Sequence, residues 1–208
     1  MDITHLGHAC LLVETEQARL LIDPGTLSSG FADLRDLDAV LVTHEHPDHV
    51  DDAAVRALLA SNSGATLVLD ELTGVRFADL DAVRVAHPGE TLDLGERVDV
   101  LGGTHAPVYG DVPGCPNLAY LVGDGELLHP GDSLHVPDRP VHTLAVPIDG
   151  PWLKLAEAVD YVKAVRPETY LPIHEGELTD PAKYAGMLAA FSPPGVVRRL
   201  VTGTPTTT

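Results

Sequence analysis

Residues 43–50 read THEHPDHV and follow directly on the aliphatic run AVLV. The segment sets three histidines and one aspartate, His44, His46, Asp48 and His49, at the point where a buried strand would end. Imidazole and carboxylate groups are the ligands that zinc and neighbouring divalent metals take in proteins. Because titratable groups crowded at a strand end are costly unless a partner satisfies them, the segment predicts half of a metal site.

The composition is that of an acidic globular protein. Its 208 residues are enough for one substantial core and too few for two comfortable ones, so we expect one domain over residues 1–201. Residues 202–208, TGTPTTT, are expected to form a flexible tail. Thirteen basic residues against 31 acidic ones give a net charge of −18. That charge argues against nucleic acid and against an anionic membrane as partners, because both need a basic surface.

Cysteine usage and the N-terminal sequence predict a soluble cytoplasmic protein. Two cysteines are too few for a disulfide framework, which fits a reducing compartment. Cys10 lies in the apolar run ACLLV and is expected to be a buried thiol, whereas Cys115 in VPGCPN is expected in a loop. Residues 1–13 have no basic segment of the kind that opens a signal peptide, and no apolar stretch is long enough to span a bilayer.

Short aliphatic or alternating runs predict strands in both halves of the chain. The predicted strands are ACLLVE, ARLLID, LDAVLVTH, TLVLD, AVRVA, TLDLG, RVDVLGG, NLAYLVG, GELLHPGD, HTLAVPID, TYLPIHE and VVRRLV. Helices are predicted over DDAAVRALLASNSG, LKLAEAVDYVKAVRP and PAKYAGMLAAF, and Leu155, Val159 and Val162 share one face of the second. Each half runs strands first and then strands mixed with helices, which predicts two packed sheets with helices outside.

The six residues 44–49 resemble the HxHxDH motif of the metallo-β-lactamase superfamily. In that family the first two histidines bind one metal and the Asp-His pair binds a second. The resemblance therefore assigns His44 and His46 to one metal site, and Asp48 and His49 to the other. It implies an α+β fold, an αββα sandwich of four layers with two mixed β-sheets inside and helices on the outer faces.

The family also implies three later ligands: a histidine, a bridging aspartate and a final histidine, each at a strand end. The candidates in this order are His105 in VLGGTHAP, Asp132 in LLHPGDS and His174 in TYLPIHEG. His87 in VAHPGE and His129 in ELLHPGD compete for the place of His105, whereas no histidine follows His174. Asp132 would bridge the two metals.

A longer set of segments resembles the ascorbate-lactonase-like branch of predicted metal-dependent hydrolases in this superfamily. ITHLGHAC, ARLLIDPG, the HxHxDH segment, HPGDS, VPIDGP and LPIH occur in the same order. The resemblance implies that His8 faces the metals or the substrate, and a histidine bonded within the hairpin is the alternative. It also puts Asp23 near the motif loop, where its carboxylate would orient a ligand histidine.

The chemistry that the resemblance implies is hydrolysis by a water that the metals convert to hydroxide. Asp48 and Asp132 would be the catalytic residues, and His8, Tyr109 and Trp152 would contact a small-molecule ester, lactone or phosphodiester. Two zinc ions per chain are expected, and manganese or a single metal is the alternative.

Two other classes of function stay open on the sequence. One is a metal-binding or regulatory module of the same fold without catalysis, against which the complete ligand set argues. The other is a nucleic-acid-processing hydrolase, which the acidity disfavours. His46 stands where the oxygen-reducing diiron branch carries a carboxylate, and this favours hydrolysis over redox chemistry. Members of the lactonase branch are often oligomeric, so a homo-oligomer is also an open expectation.

Overall fold

The structure, a computed structural model, describes residues 1–193, 196–197 and 203–207. Its strands are β1 (Asp2–His5), β2 (Leu11–Glu14), β3 (Arg19–Ile22), β4 (Ala39–Leu41), β5 (Thr66–Leu69), β6 (Val83–Val85), β7 (Thr91–Asp93), β8 (Arg97–Gly102), β9 (Leu118–Val122), β10 (Leu127–His129), β11 (Thr143–Pro147), β12 (Thr169–Ile173), β13 (Val196–Val197) and β14 (Pro205–Thr207). Its helices are α1 (Asp52–Ser61), α2 (Glu71–Gly74), α3 (Leu155–Val165) and α4 (Pro181–Phe191). Among these described helices, none is long and apolar enough to cross a bilayer.

Within the described residues the strands form two sheets that share one plan. The order across the first sheet is β14-β1-β2-β3-β4-β5-β6, and across the second it is β13-β12-β11-β10-β9-β8-β7. In the first sheet the strands from β14 to β3 pair antiparallel, and those from β3 to β6 pair parallel. The second sheet repeats this pattern, antiparallel from β7 to β10 and parallel from β10 to β13. The repeat confirms the predicted organisation of the two halves.

Alternation of side chains along the strands divides the apolar residues into three layers. Val13 of the first sheet and Tyr120 of the second belong to the core between the sheets. The opposite face of the first sheet, which includes Leu12, packs with α1. The opposite face of the second sheet, which includes Leu121, packs with α3 and α4. This arrangement confirms the α+β fold of four layers, αββα.

Helices α1, α3 and α4 lie within the stretches that the sequence predicts, whereas the short α2 was not predicted. The Asp51 carboxylate accepts hydrogen bonds from two backbone N–H groups in the first turn of α1, as an N-cap does. Asp180 caps α4 in the same way, with Pro181 in the first turn. Helix α3 ends at Arg166, which has a left-handed backbone conformation, and Pro167 follows it.

The C-terminal residues differ from the expectation. Pro205–Thr207 pair antiparallel with β1 as β14, and Thr207 Oγ1 donates to Asp2 Oδ1 at 2.6 Å. The prediction of a flexible tail was wrong for these residues, because pairing satisfies backbone groups that β1, itself not predicted, would otherwise present at an open sheet edge. Of the predicted strand VVRRLV, residues 196–197 form β13, and the remainder lies outside the described residues.

Candidate metal centre

The candidate donors follow the carboxyl ends of strands in both sheets. The motif residues 44–49 follow β4, and His8 follows β1. His105, Asp132 and His174 follow β8, β10 and β12 of the second sheet. The loops after these strands meet, so side chains that are far apart in sequence come together at one end of the sandwich.

The donor atoms form two groups, and within each group they all lie within 4.8 Å of one another. The first group is His44, His46, His105 and Asp132, and the second is His8, Asp48, His49 and His174. The structure thus separates the two halves of the motif as the resemblance implies. It brings together all seven predicted metal ligands and adds His8.

The spacing within the first group suits a small cation. His44 Nε2 lies 3.0 Å from His46 Nδ1, and His105 Nε2 lies 3.3 Å from Asp132 Oδ2. Two nitrogens bound to one tetrahedral zinc ion at about 2.0–2.1 Å are about 3.3 Å apart. The observed separations agree with that value.

Asp132 contacts both groups. Its Oδ2 faces His105 of the first group, as given above. Its Oδ1 lies 3.1 Å from His49 Nε2 and 3.2 Å from His174 Nε2 of the second group. The side chain is only 4% exposed, so water does not separate it from these rings. A carboxylate in this position is suited to bridge two metal ions.

The buried atoms of the centre have no satisfactory partner within the described part of the chain. His49 Nε2, His105 Nε2, His174 Nε2 and Asp132 Oδ1 are all buried and make no hydrogen bond of acceptable geometry. Imidazole nitrogens without a proton and a carboxylate oxygen are all acceptors, so they cannot satisfy one another. A shared cation satisfies such a set, and the centre therefore fits a pair of divalent metal ions.

Comparison with known proteins gives the same assignment. Residues 2–174 match the sequence model of the beta-lactamase superfamily domain. The chain belongs to the metallo-β-lactamase superfamily. It is 44% identical over 199 residues to protein Rv0786c of Mycobacterium tuberculosis, covering 92% of this chain and 93% of the relative.

A second relative and one solved structure extend the comparison. The UPF0173 metal-dependent hydrolase MK1542 of Methanopyrus kandleri is 32% identical over 211 residues, covering 85% of this chain and 84% of the relative. Igni18, a metallo hydrolase from Ignicoccus hospitalis, shares the fold with a TM-score of 0.74 at 22% identity, covering 99% and 97% of the two chains. The predicted class, a metal-dependent hydrolase of the metallo-β-lactamase fold, agrees with these relatives and with the two donor groups.

In this member of the superfamily, a buried carboxylate orients the motif histidines. Asp23 Oδ2 accepts a hydrogen bond from His49 Nδ1 at 2.7 Å, which leaves Nε2 free to face Asp132. The same oxygen accepts from Thr43 Oγ1 at 2.8 Å, and Thr43 Oγ1 in turn lies 3.0 Å from His44 Nδ1. Because the hydroxyl proton goes to Asp23, Thr43 accepts from His44. Asp23 therefore orients one histidine of each group, His49 directly and His44 through Thr43. The resemblance implied this role for one ligand histidine.

Two supporting residues were not predicted from the sequence. Thr43 transmits the effect of Asp23, and its position directly before the motif could have indicated this role. Asn117 Oδ1 accepts from the backbone N–H of Asp132 at 2.9 Å, and its Nδ2 donates to Pro130 O at 2.9 Å. Asn117 thus fixes the turn that carries the bridging carboxylate, and no pattern in the sequence indicates it.

Two histidines and both carboxylates of the centre have the charge states that metal binding requires. Burial lowers the pKa of His44 well below its usual value and also lowers that of His46, so both rings are neutral at pH 7. Against the effect of burial, the hydrogen bond from His8 lowers the pKa of Asp48 to about 2. The neighbouring histidines, His49 foremost, likewise hold the pKa of Asp132 well below its usual range although burial opposes this. Both carboxylates are therefore ionised. Against the effect of burial, Asp132 and Asp23 raise the pKa of His49 well above its usual value, so this ring carries a proton that a bound cation would displace.

The motif loop lies directly against the turn at residues 23–25. A Cβ atom on Gly25 would lie 1.8 Å from the backbone oxygen of Asp48, so only glycine allows this approach. Thr26 N donates to Pro47 O at 2.8 Å and holds the two loops together. The Asp-Pro-Gly turn therefore fixes the position of the motif loop, in addition to orienting the motif histidines through Asp23.

Three residues of the centre have a left-handed backbone. The φ angles are 52° at His8, 50° at Asp23 and 63° at His174. A residue other than glycine held in such a conformation costs on the order of 1–3 kcal/mol and persists where its surroundings fix it. Here His174 N donates to His8 O at 2.9 Å, so the loops after β12 and β1 hold each other.

His8 belongs to the second group of candidate metal donors. Its hydrogen bonds, however, indicate that it donates a hydrogen bond to a neighbouring ligand and is not a ligand itself. The Gly176 N–H donates to His8 Nδ1 at 3.0 Å. An imidazole that accepts at Nδ1 carries its proton on Nε2, and this nitrogen lies 3.0 Å from Asp48 Oδ2. His8 therefore donates to the carboxylate of Asp48, facing the centre as the resemblance implies. It holds a candidate ligand in place.

An open cavity of about 390 Å³ leads to the centre. Trp152 lines it with a ring that is 8% exposed, and its Nε1 donates to Asp132 Oδ2 at 2.8 Å. Tyr109 does not line the cavity and is 82% exposed. Val108 beside it forms the wall instead. Of these two residues, Trp152 lies where it could contact a substrate and Tyr109 does not, and the contact itself stays a prediction.

The competing histidines lie elsewhere. His87 is exposed and belongs to neither donor group. His129 is fully buried, and both of its nitrogens are engaged, with Nε2 donating to Ala9 O at 2.8 Å and Nδ1 accepting from Gly131 N at 3.2 Å. His105 takes the position beside Asp132, with its Nδ1 donating to the adjacent backbone oxygen at 2.6 Å and its Nε2 facing the centre.

The cysteines take no part in either donor group. Cys10 is buried, as its apolar surroundings predict. Cys115 is half-buried, and its Sγ lies 4.0 Å from His46 Nε2. Burial and the nearby carboxylates raise the pKa of Cys115 to about 11, so it is a neutral thiol at pH 7.

Proposed function

We propose that this protein is a metal-dependent hydrolase that cleaves a small-molecule ester, lactone or phosphodiester. The observation that carries the proposal is the convergence of seven buried or half-buried donors, several without partners, at the floor of an open cavity. A structural metal site is closed by its ligands, whereas a catalytic one leaves a position open to substrate. The cavity supplies that access.

The residues divide the work between holding the metals and positioning the reactants. His44, His46 and His105 would hold one ion, Asp48, His49 and His174 would hold the other, and Asp132 would bridge them. When bound, the ions would polarise the substrate oxygen and lower the pKa of water. Asp48 is the more exposed of the two carboxylates, at 28% against 4% for Asp132. It is therefore the one that can accept a hydrogen bond from a water entering the cavity.

Two zinc ions per chain suit the donor set best, because five of the seven donors are imidazoles. Manganese, or a single ion, is the alternative. The acidic composition supports a small-molecule substrate over nucleic acid or an anionic membrane. The lack of a disulfide framework supports a cytoplasmic location.

Metal analysis and a substrate panel test the proposal together. Protein purified without added metal is analysed for zinc and manganese, and each metal form is assayed on lactone, carboxylic ester and phosphodiester substrates. His46→Ala should lose metal and turnover, whereas His87→Ala removes an exposed histidine outside both groups and should retain both. Less than about one ion per chain in the unmodified protein, or full turnover by His46→Ala, would refute the proposal.

A further inference from the structure

We infer that the cavity selects a substrate whose group next to the reacting bond is uncharged and aliphatic, as in an acyl ester or lactone with an alkyl chain. This inference rests on the proposed function and deepens it by naming the substrate class. Three independent observations carry it: the residues of the wall, the positions of the basic side chains, and the exposed apolar residues at the mouth.

The wall is apolar apart from one acid and one threonine. Besides the candidate ligands, it is formed by Thr26, Leu27, Pro47, Val108, Pro151, Trp152 and Glu177. Five of these side chains are apolar, and none of the lysine or arginine residues that the structure describes lines this cavity. A hydrocarbon group bound here would be removed from water, with a gain that grows with the buried area. An anionic group would instead meet Glu177 and no counter-charge from the wall.

Most of the basic residues that the structure describes are engaged elsewhere. Within the described residues, seven of them pair with acidic side chains: Arg19, Arg56, Arg76, Arg84, Arg97, Arg139 and Lys163. Arg76 comes nearest to the motif, since it donates to the backbone oxygen of Glu45, but its guanidinium is also bound to Asp52. Sites for phosphoryl chemistry clamp the anion with arginine, lysine or metal ions. Because none of the described lysine or arginine side chains lines this wall to add to the charge of the metals, the wall favours a neutral carbonyl substrate over a phosphodiester.

The mouth of the cavity carries exposed apolar side chains. On the loop between β8 and β9, Val108 lines the cavity and is 55% exposed. Leu27, which also lines the cavity, is 40% exposed. Exposed apolar residues that continue a concave site indicate a binding surface. The base of the loop is fixed, because His105 N donates to Cys115 O at 2.9 Å, and Val108 lines the same cavity as the candidate ligands.

Alkyl hydroxamic acids test the inference without requiring turnover, because the hydroxamate chelates metal and the chain must then lie in the cavity. Affinities of the zinc-loaded protein are measured for chains of increasing length and for equally long chains that end in a carboxylate. Each buried CH₂ should tighten binding about fourfold, and the terminal carboxylate should weaken it about tenfold or more. Equal affinities, a preference for the carboxylate, or no binding of either probe would overturn the inference.

Two charge variants separate the local effect from net charge. Glu177→Lys should improve binding of the carboxylate probe about three- to tenfold relative to the neutral probe. Glu16→Lys changes net charge equally at an exposed turn between β2 and β3, the opposite end of the sheet from the centre, and should leave the ratio unchanged. Equal responses of the two variants would contradict a selective wall. Normal probe binding without hydrolysis of any substrate would refute the proposed function alone, so the two failures are distinguishable.

Discussion

Replacement of His8 tests whether this residue donates to a ligand or is itself a ligand. Its Nδ1 accepts from the Gly176 N–H and its Nε2 donates to Asp48, each at 3.0 Å. Two substitutions each keep one of these contacts and remove the other. His8→Asn places an oxygen near the position of Nδ1 and keeps the first contact, whereas His8→Gln places an N–H near the position of Nε2 and keeps the second. Asparagine also tolerates the left-handed backbone of this position.

The expected magnitudes follow from which contact is lost. His8→Asn should weaken metal binding about 10- to 100-fold, the usual effect of removing a partner of a metal ligand. His8→Gln should bind metal within a few-fold of the unmodified protein but should lose about 1 kcal/mol of stability, since the Gly176 N–H loses its acceptor. In a chain of this length that loss lowers Tm by about 2–4 °C. Both variants should bind as many ions per chain as the unmodified protein.

The assay combines metal counting with chelator competition and thermal unfolding of the metal-free protein. Counting after dialysis gives the ions per chain, and competition with a chromophoric chelator gives the affinity. If both variants lose one ion per chain, or if His8→Gln loses affinity as severely as His8→Asn, His8 is a ligand and the argument from its proton is wrong.

Three further predictions concern the support of the centre and of the second sheet. Trp152→Phe removes the N–H donor to Asp132 and should weaken metal binding about 10- to 100-fold in chelator competition, whereas unchanged affinity would show that the hydrogen bond does not matter. Gly25→Ala should cost about 1–3 kcal/mol or more in urea unfolding, because its Cβ would overlap the motif backbone, whereas Gly64→Ala, with open space around it, should stay within about 0.5 kcal/mol. Against the effect of burial, hydrogen bonds lower the folded-state pKa of Asp99. The ionised Asp99 side chain therefore stabilises the fold fully above about pH 4, and this stabilisation is lost as the pH falls through the folded-state pKa. Asp99→Asn should therefore cost about 1–3 kcal/mol at pH 7, and its difference from the unmodified protein should shrink toward pH 3; a constant difference would contradict this.

The local patterns of the sequence were sufficient for most of the fold. The aliphatic run before His44 and the Asp51 cap each depend on neighbours within a few residues, so a strand and a helix could be located directly. The flexible-tail prediction failed because the partner of Pro205–Thr207 is β1, about 200 residues away in sequence. Strand pairing over that separation leaves no local signal in a run of threonines.

The candidate site shows the same division between local and distant information. His105 could not be separated from His129 by sequence, because both follow aliphatic runs and both stand near glycines. The choice depends on which way the ring points, and His129 points to the backbone of Ala9 in the loop between β1 and β2. Likewise, Tyr109 and Val108 are adjacent, and only the course of their loop decides which one lines the cavity.

The distribution of donors over both sheets has a consequence for synthesis of the chain. The motif ends at His49 and the last candidate ligand is His174, which is 125 residues later (174 − 49). At about 5–20 residues per second, the ribosome needs roughly 6–25 s to cover that interval. A nascent chain therefore presents the motif histidines well before the rest of the centre exists. The final metal complement is set only after the second sheet has been made and has packed against the first.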